Sequence, residues 1–206
     1  MYTPKRYNNE DINAAIAFMQ RYSFGTIITS NGDRPTATHL PFIITKKGDN
    51  ILLKSHFARA NSQSINIEEK QILTIFSEPH AYISPKHYES QLNVPTWNYI
   101  SVHAYGKASI INSEDDVISL LEQTIKFFDA SYLVQWKKLP SDFKTRMIKG
   151  IIGFEIEITE LQFKEKLSQN KSKADQGRII NSFNKDGTDH EKQIAAYMEK
   201  FNKKIT

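Results

Sequence analysis

Cysteine is absent from the 206 residues, which removes disulfide bonds, thiolate metal sites and cysteine nucleophiles from consideration. A reducing cytosol is compatible with such a chain. Glycine is scarce: there are eight, none grouped, so neither the Gly-x-Gly-x-x-Gly of a dinucleotide fold nor the Gly-x-x-x-x-Gly-Lys of a P-loop is present. Any phosphate must then be held by side chains. No apolar run approaches membrane-spanning length, and Met1-Tyr2-Thr3-Pro4-Lys5-Arg6-Tyr7-Asn8 lacks the apolar stretch of a signal peptide. The expectation is a soluble cytoplasmic protein with no membrane partner. Six histidines show neither His-x-x-x-His nor His-Glu-x-x-His spacing, so no metal centre is expected. No serine stands in a Gly-x-Ser-x-Gly elbow, and no carboxylate pair is placed for acid–base hydrolysis. Hydrolase chemistry falls away, and no catalytic residue is named.

What remains is a chain with 39% hydrophobic residues, enough for one sizeable core with a helical appendage. The net charge of +4 is unevenly spread. Residues 1–163 carry 17 Lys/Arg against 17 Asp/Glu, and residues 164–206 carry 10 against 6. A basic tail suits phosphates of a cofactor or of nucleic acid, although lysine-rich helices are more often solvated faces.

Apolar periodicity predicts a helix from Ile12 to near Tyr22, then short strands over Thr26 to Ser30, Thr36 to Thr45 and Ile51 to Ser55. Asn31-Gly32-Asp33 and Lys47-Gly48-Asp49-Asn50 form the turns between them. Phe57 to Ile67 reads as a short helix or turn, Ile72 to Phe76 as a buried strand, and Thr96 to Ile111 as a long one. The last has Ile100, Val102, Ala104, Ala108 and Ile110 on its inner face. Ser113 before Glu114-Asp115-Asp116 starts a helix with a stripe of Val117, Leu121, Ile125 and Phe128. A helix over Asp142 to Lys149, a strand with Ile152, Phe154, Ile156 and Ile158 inward, and helices over Ser172 to Phe183 and Thr188 to Asn202 complete the chain. Antiparallel strands with helices inserted between them predict an α+β domain whose sheet closes into a barrel. Residues 1–163 form that barrel, and residues 164–206 form a segment with closing helices packed on the same domain.

Residues 79–106 hold more polar aromatics than a plain strand pair needs. Tyr and Trp pair an apolar face with a hydrogen-bonding tip, which suits a pocket for a planar polar ligand as well as a barrel core. Strand alternation puts Trp97 and Tyr99 on one side and Asn98 on the other. Arg59, just past a strand, is the best phosphate candidate, with Asn61 and Gln63 as neutral donors nearby; a surface ion pair with Glu68 or Glu69 is the alternative. Lys166, Ser168, Gln169 and Asn170 lie between a strand and a helix, where amides offer both donor and acceptor and a lysine stabilises negative charge. Helix capping by Ser168, Asn170 or Ser172 is the competing use.

Four segments carry a resemblance. They are Met1-Tyr2-Thr3-Pro4; Ala37-Thr38-His39-Leu40-Pro41 with Ser55-His56-Phe57-Ala58-Arg59-Ala60-Asn61; the Tyr82 to Gly106 block; and Lys166-Leu167-Ser168-Gln169-Asn170-Lys171-Ser172-Lys173-Ala174-Asp175. In this order the chain resembles the FMN-binding negative transcriptional regulator family, the PaiB-like proteins. The resemblance implies the flavin-binding split barrel, a homodimer with FMN at its interface, and a regulatory role with DNA as a possible partner. It also implies cofactor contacts from Thr38, His39, His56, Arg59, Asn61, Trp97, Tyr99, Lys166, Gln169 and Asn170. The chain departs from the family pattern in three places. Ser62 and Ser64 stand where Pro and Trp are usual, Glu78 where Gly is usual, and His87 where Trp is frequent. No helix-turn-helix is evident. Two alternatives therefore stay open: a flavin-dependent oxidoreductase using NAD(P)H, or a haem-degrading relative, since one axial histidine needs no spacing rule; and a dimeric binding module without cofactor.

Overall fold

The computed structural model describes residues 1–205. Its elements in chain order are helix α1 (Ile12–Arg21), strands β1 (Phe24–Asn31), β2 (Arg34–Pro41), β3 (Ile43–Lys47), β4 (Asn50–Ala58), β5 (Ile72–Ile83) and β6 (Thr96–Ile110), helices α2 (Glu114–Phe128), α3 (Leu133–Lys138) and α4 (Ser141–Lys149), strand β7 (Ile151–Lys166), and helices α5 (Lys173–Asp186) and α6 (Asp189–Ile205). The seven strands form one sheet in the order β2-β1-β5-β6-β7-β4-β3. The pairs β1–β2, β1–β5, β3–β4 and β4–β7 are antiparallel.

The chain divides into two compact units. The first comprises Met1–Asp11, Ser77–Val102 and Gln162–Thr206, and the second Ile12–Phe76 and His103–Leu161. Everything after residue 163 belongs to the first.

The second unit is built around aromatic side chains. Phe57 stacks on Phe154 at 4.7 Å, while Phe42 meets Phe76 edge-on at 5.6 Å. All four are fully buried, as are Ile27, Leu53, Ile72 and Ile156. These side chains come from the inward positions of their strands, as the period of two requires. The expected single strand over Thr36 to Thr45 is in fact two. Pro41 has no N–H to donate to a ladder, and the Phe42 N–H instead bonds the Ser23 carbonyl at 2.8 Å. The chain breaks there, so that β2 and β3 end at opposite edges of the sheet.

Helix α2 begins where its sequence signal places it, with the Ser113 hydroxyl accepting from the Asp116 N–H. Its buried stripe is Val117 and Leu120 rather than the expected Val117, Leu121, Ile125 and Phe128, and Phe128 is 52% exposed. The following helix α3 has no counterpart in the sequence reading; its six residues are too few to show a period.

In the first unit α5 and α6 pack on one another, burying Ile179, Phe183, Ile194, Ala195 and Met198. The Ser172 hydroxyl caps α5 by accepting from the Asp175 N–H. Thr188 and Glu191 form a reciprocal box at the start of α6, with the Thr188 N–H donating to Glu191 Oε2 at 2.8 Å and the Glu191 N–H to Thr188 Oγ1 at 3.4 Å. Strands β5, β6 and β7 each contribute residues to both units. Among the described residues no helix is long and apolar enough to cross a membrane.

Candidate functional site

The residues expected to hold a ligand fall into two sets, five in each unit. In the second unit they come from β2, β4 and the turn after β4. Thr38 and Asn61 meet Gln63 in one closed network. The Thr38 hydroxyl donates to Gln63 Oε1 at 2.6 Å and accepts from Asn61 Nδ2 at 3.0 Å, while Asn61 Oδ1 accepts the Gln63 N–H at 2.9 Å. The Gln63 amide also donates to the Ile27 and Thr36 carbonyls, at 3.2 and 3.1 Å. Gln63 is only 3% exposed, so this amide ties the turn to β1 and β2 before it can serve any ligand.

Arg59 does not pair with Glu68 or Glu69. Its Nε–H donates to the Lys149 carbonyl at 2.6 Å and its Nη2–H to the Ile151 carbonyl at 2.9 Å, so the guanidinium clamps the link between α4 and β7. Glu68 instead accepts the Ile110 N–H at 2.9 Å. Two carbonyls do not exhaust a guanidinium, whose other N–H groups can still meet an oxyanion. Arg59 also lines a cavity of about 340 Å³ with Ser64, Asn112 and Lys149. His56 is half-buried on β4, and that burial lowers its pKa below the ordinary imidazole value, leaving a neutral ring able to donate and accept. His39 lies exposed on the edge strand β2, stacked over Phe24 at 6.3 Å.

The other five residues belong to the first unit. The alternation expected at the start of β6 is observed: Asn98 is fully buried, Trp97 is 51% exposed and Tyr99 is half-buried. Trp97 packs against His80 at 5.6 Å and Tyr82 at 5.9 Å. The ammonium of Lys164 sits 5.0 Å from the Tyr99 ring centre and donates to the Tyr2 carbonyl at 3.0 Å. Lys166 donates to Thr96 Oγ1 at 2.5 Å. Its pKa is lowered, first by burial and then by the charge of Lys164.

Gln169 accepts the Leu167 N–H at 2.7 Å and donates to the Glu165 carbonyl at 2.5 Å, which fixes the turn it stands in. It lines a cavity of about 260 Å³ with Arg6, Tyr7 and Glu165. Asn170 is exposed and accepts from the Tyr7 hydroxyl at 3.3 Å. Between them and β7 stands Ser168, buried with φ at +61°, a backbone region that costs a non-glycine residue. Asn98 holds it there, the two side chains exchanging bonds of 2.9 and 3.1 Å. The capping alternatives resolve in favour of Ser172.

Sequence reasoning missed three residues here. Lys164 is 7% exposed, an unusual depth for lysine; it lies inward next to Phe163 near the end of β7, where no alternation signal marks it. Strand alternation gives the face of Asn98 but not its partner, because Ser168 is 70 residues away. The hydroxyl of Tyr88, a residue 7% exposed, has no hydrogen-bond partner among the described residues, while Lys171 lies over its ring at 4.0 Å. At one of the positions where the chain departs from the pattern it resembles, His87 is buried edge-on against Phe183 at 5.8 Å, so an aromatic still fills the place.

Comparison with known proteins narrows the chemistry these residues serve. Residues 1–160 match the family described as "Putative FMN-binding domain". The chain is 38% identical over 203 residues to "Protease synthase and sporulation protein PAI 2" of Bacillus subtilis, covering 97% of both chains. Among solved structures, the flavocytochrome Anf3 of Azotobacter vinelandii superposes with a TM-score of 0.61 at 18% identity, covering 77% of this chain and 69% of its own. The FAD- and haem-binding protein of Mycobacterium smegmatis gives 0.59 at 11%, covering 78% and 73%. Those two likenesses establish the flavin-binding split barrel as the fold. The chain belongs to the PaiB-like FMN-binding family, and FMN is its cofactor.

Proposed function

We propose that this protein is a homodimeric FMN-binding regulator of gene expression, with DNA as its target. The observation that carries this reading is the near full-length match to PAI 2, a protein named for protease synthesis and sporulation. Two features of the first unit fit a polar, anionic cofactor. The phenol of Tyr88 is a buried donor without a partner among the described residues, a state that costs about 1–3 kcal/mol until some group accepts from it. Lys166 is charged against both burial and Lys164, so a nearby anion relieves both penalties.

Within the first unit, Trp97 and Tyr99 would cover an aromatic ring face, while Lys166, Gln169 and Asn170 would hydrogen-bond its edge. In the second unit Arg59 would meet an oxyanion, with His56 and Asn61 as neutral partners and Thr38 and His39 on the adjoining strand. When bound, FMN supplies a ring that takes up and releases electrons. The chain's own contribution is to bind it, orient it and compensate its charge. The basic excess after residue 163 supports a phosphate-bearing partner. Because such a contact rests on charge, DNA binding weakens as salt rises.

The test combines an absorption spectrum of the purified protein, before and after addition of FMN, with its molar mass in solution. A flavin spectrum and twice the chain mass are expected. A colourless monomer that fails to take up added FMN would sink the cofactor and dimer readings together. DNA retention assayed with and without residues after Asp186 tests the regulatory part separately; equal retention removes the tail from it.

A further inference from the structure

The six histidines have no ligand spacing in the sequence, yet folding joins two of them, His80 and His190, from separate segments of the first unit. Along β5 the buried positions run Ile72, Thr74 and Phe76 and then Pro79, Ala81 and Ile83, so the inward phase slips by one residue at Ser77 and Glu78. That slip turns Glu78, His80 and Tyr82 to the outer face. The second residue of α6, His190, comes to the same place. Its Nδ1 lies 3.5 Å from Glu78 Oε2, and its ring meets that of His80 at 4.9 Å in an edge-on contact. One ligand atom from each of the three side chains lies within 4.8 Å of the others.

We propose that Glu78, His80 and His190 bind one divalent first-row transition ion of the zinc type. Two imidazoles and one carboxylate make a donor set suited to such an ion, whereas calcium and magnesium prefer oxygen donors throughout. Tetrahedral bonds of about 2.1 Å put neighbouring ligand atoms roughly 3.4 Å apart. The carboxylate and His190 already stand at that separation. The wider pairs close by side-chain rotation, which is cheap for groups as accessible as these: His80 is exposed, and Glu78 and His190 are each 44% accessible. Protein ligands number three, so solvent completes the coordination and the ion keeps an open position.

The packing around the cluster favours the assignment. Trp97 lies 5.6 Å from the His80 ring and shields one side of it from solvent. The start of α6 is a site where a cation is disfavoured by the helix dipole. The Glu78 carboxylate offsets this, as do Asp189 and Glu191 in the first turn. The ion would staple β5 to α6 across 110 residues of sequence.

The experiment is calorimetric titration of the full chain with zinc chloride, with magnesium chloride as comparison. One zinc per chain is expected, no magnesium uptake, and a rise in the thermal midpoint with zinc. His80→Ala and His190→Ala each lower zinc affinity at least tenfold, since even outer partners of metal ligands are worth about 10–100-fold. Glu78→Gln, which alters no packing, lowers it as well. His39→Ala and Arg59→Ala leave it unchanged, which separates this site from the flavin reading. If the wild-type chain takes up no zinc, or His80→Ala and His190→Ala bind it as the wild type does, the assignment is overturned.

Discussion

Gln63 in the second unit and Asn98 in the first are both buried neutral amides, 3% and 0% exposed. Gln63 spends its hydrogen bonds on two backbone carbonyls and on Thr38, all of them neighbours in one corner of the sheet. Asn98 exchanges two bonds with a serine whose backbone is in the left-handed region, immediately before Gln169 and Asn170, and donates a longer one to Met198 Sδ at 3.7 Å. Both brace a turn that carries ligand candidates, Gln63 chiefly through backbone carbonyls and Asn98 through a residue held at positive φ. Burial alone does not tell these apart, but the identity of the partner does. Backbone partners mark an amide that completes the fold, and a strained side-chain partner marks one that positions a site.

Gln63 is where substitution costs most. Gln63→Leu leaves the Ile27 and Thr36 carbonyls and the Thr38 hydroxyl short of partners, and the expected loss is about 2–4 kcal/mol. Urea unfolding reads it as a lower midpoint. A loss under about 1 kcal/mol would show that water replaces the amide.

Ser168→Ala comes next. It removes the partner of Asn98, and the expected cost is about 1–3 kcal/mol, with weaker FMN binding because the turn at Gln169 is released. Ser168→Gly loses the same hydroxyl but suits φ at +61°, so it should be more stable than the alanine variant by about 1 kcal/mol. Equal stability of the two would remove backbone strain from the account, and unchanged FMN binding in both would reduce Asn98 to a second Gln63.

The elements were legible to the extent that their signals are local. Ser113 and Ser172 cap the helices they precede, and Phe154 and Ile156 point inward, because a cap or an alternation needs only adjacent residues. The break at Pro41 is equally local, but Pro41 sits inside an apolar and β-branched run that reads as one strand. The site was legible as residue types and not as partners. Arg59 reads as a free cation until α4 ends beside it, and Gln169 as a ligand amide until its own turn uses both ends. Lys164 carries no local mark at all, since an inward lysine at the end of a strand is decided by the tyrosines around it.

Arg59 gives a smaller and more divided effect. Arg59→Ala should cost about 1 kcal/mol through the Lys149 and Ile151 carbonyls, and lower FMN affinity if the guanidinium also meets the phosphate. Arg59→Lys keeps the charge and loses the fork. If lysine restores FMN binding without restoring stability, the two roles separate. If alanine changes stability alone, Arg59 joins Gln63 as framework.

The smallest effect is a pH dependence with one source in each unit. His56 and His87 both have pKa values lowered by burial, and Lys86 adds to the shift at His87 while Glu191 opposes it. Each imidazole ionises more readily in the unfolded chain, near pH 6.5. The unfolded state therefore binds more protons once pH falls below that value. Stability is full above about pH 6.5 and declines as pH drops toward the folded values. Carboxylates such as Asp175, lowered by the Glu89 N–H, act only in a more acidic window. His56→Gln and His87→Phe should each flatten part of the decline. The chain has two tryptophans, Trp97 in the first unit and Trp136 in the second, so each unit has its own fluorescent reporter. Because β5, β6 and β7 each supply residues to both units, either histidine substitution should move the acid transition of both tryptophans together. A shift confined to the tryptophan of the substituted unit would show two independently unfolding bodies, and would make the contrast between Gln63 and Asn98 one between separate stabilities.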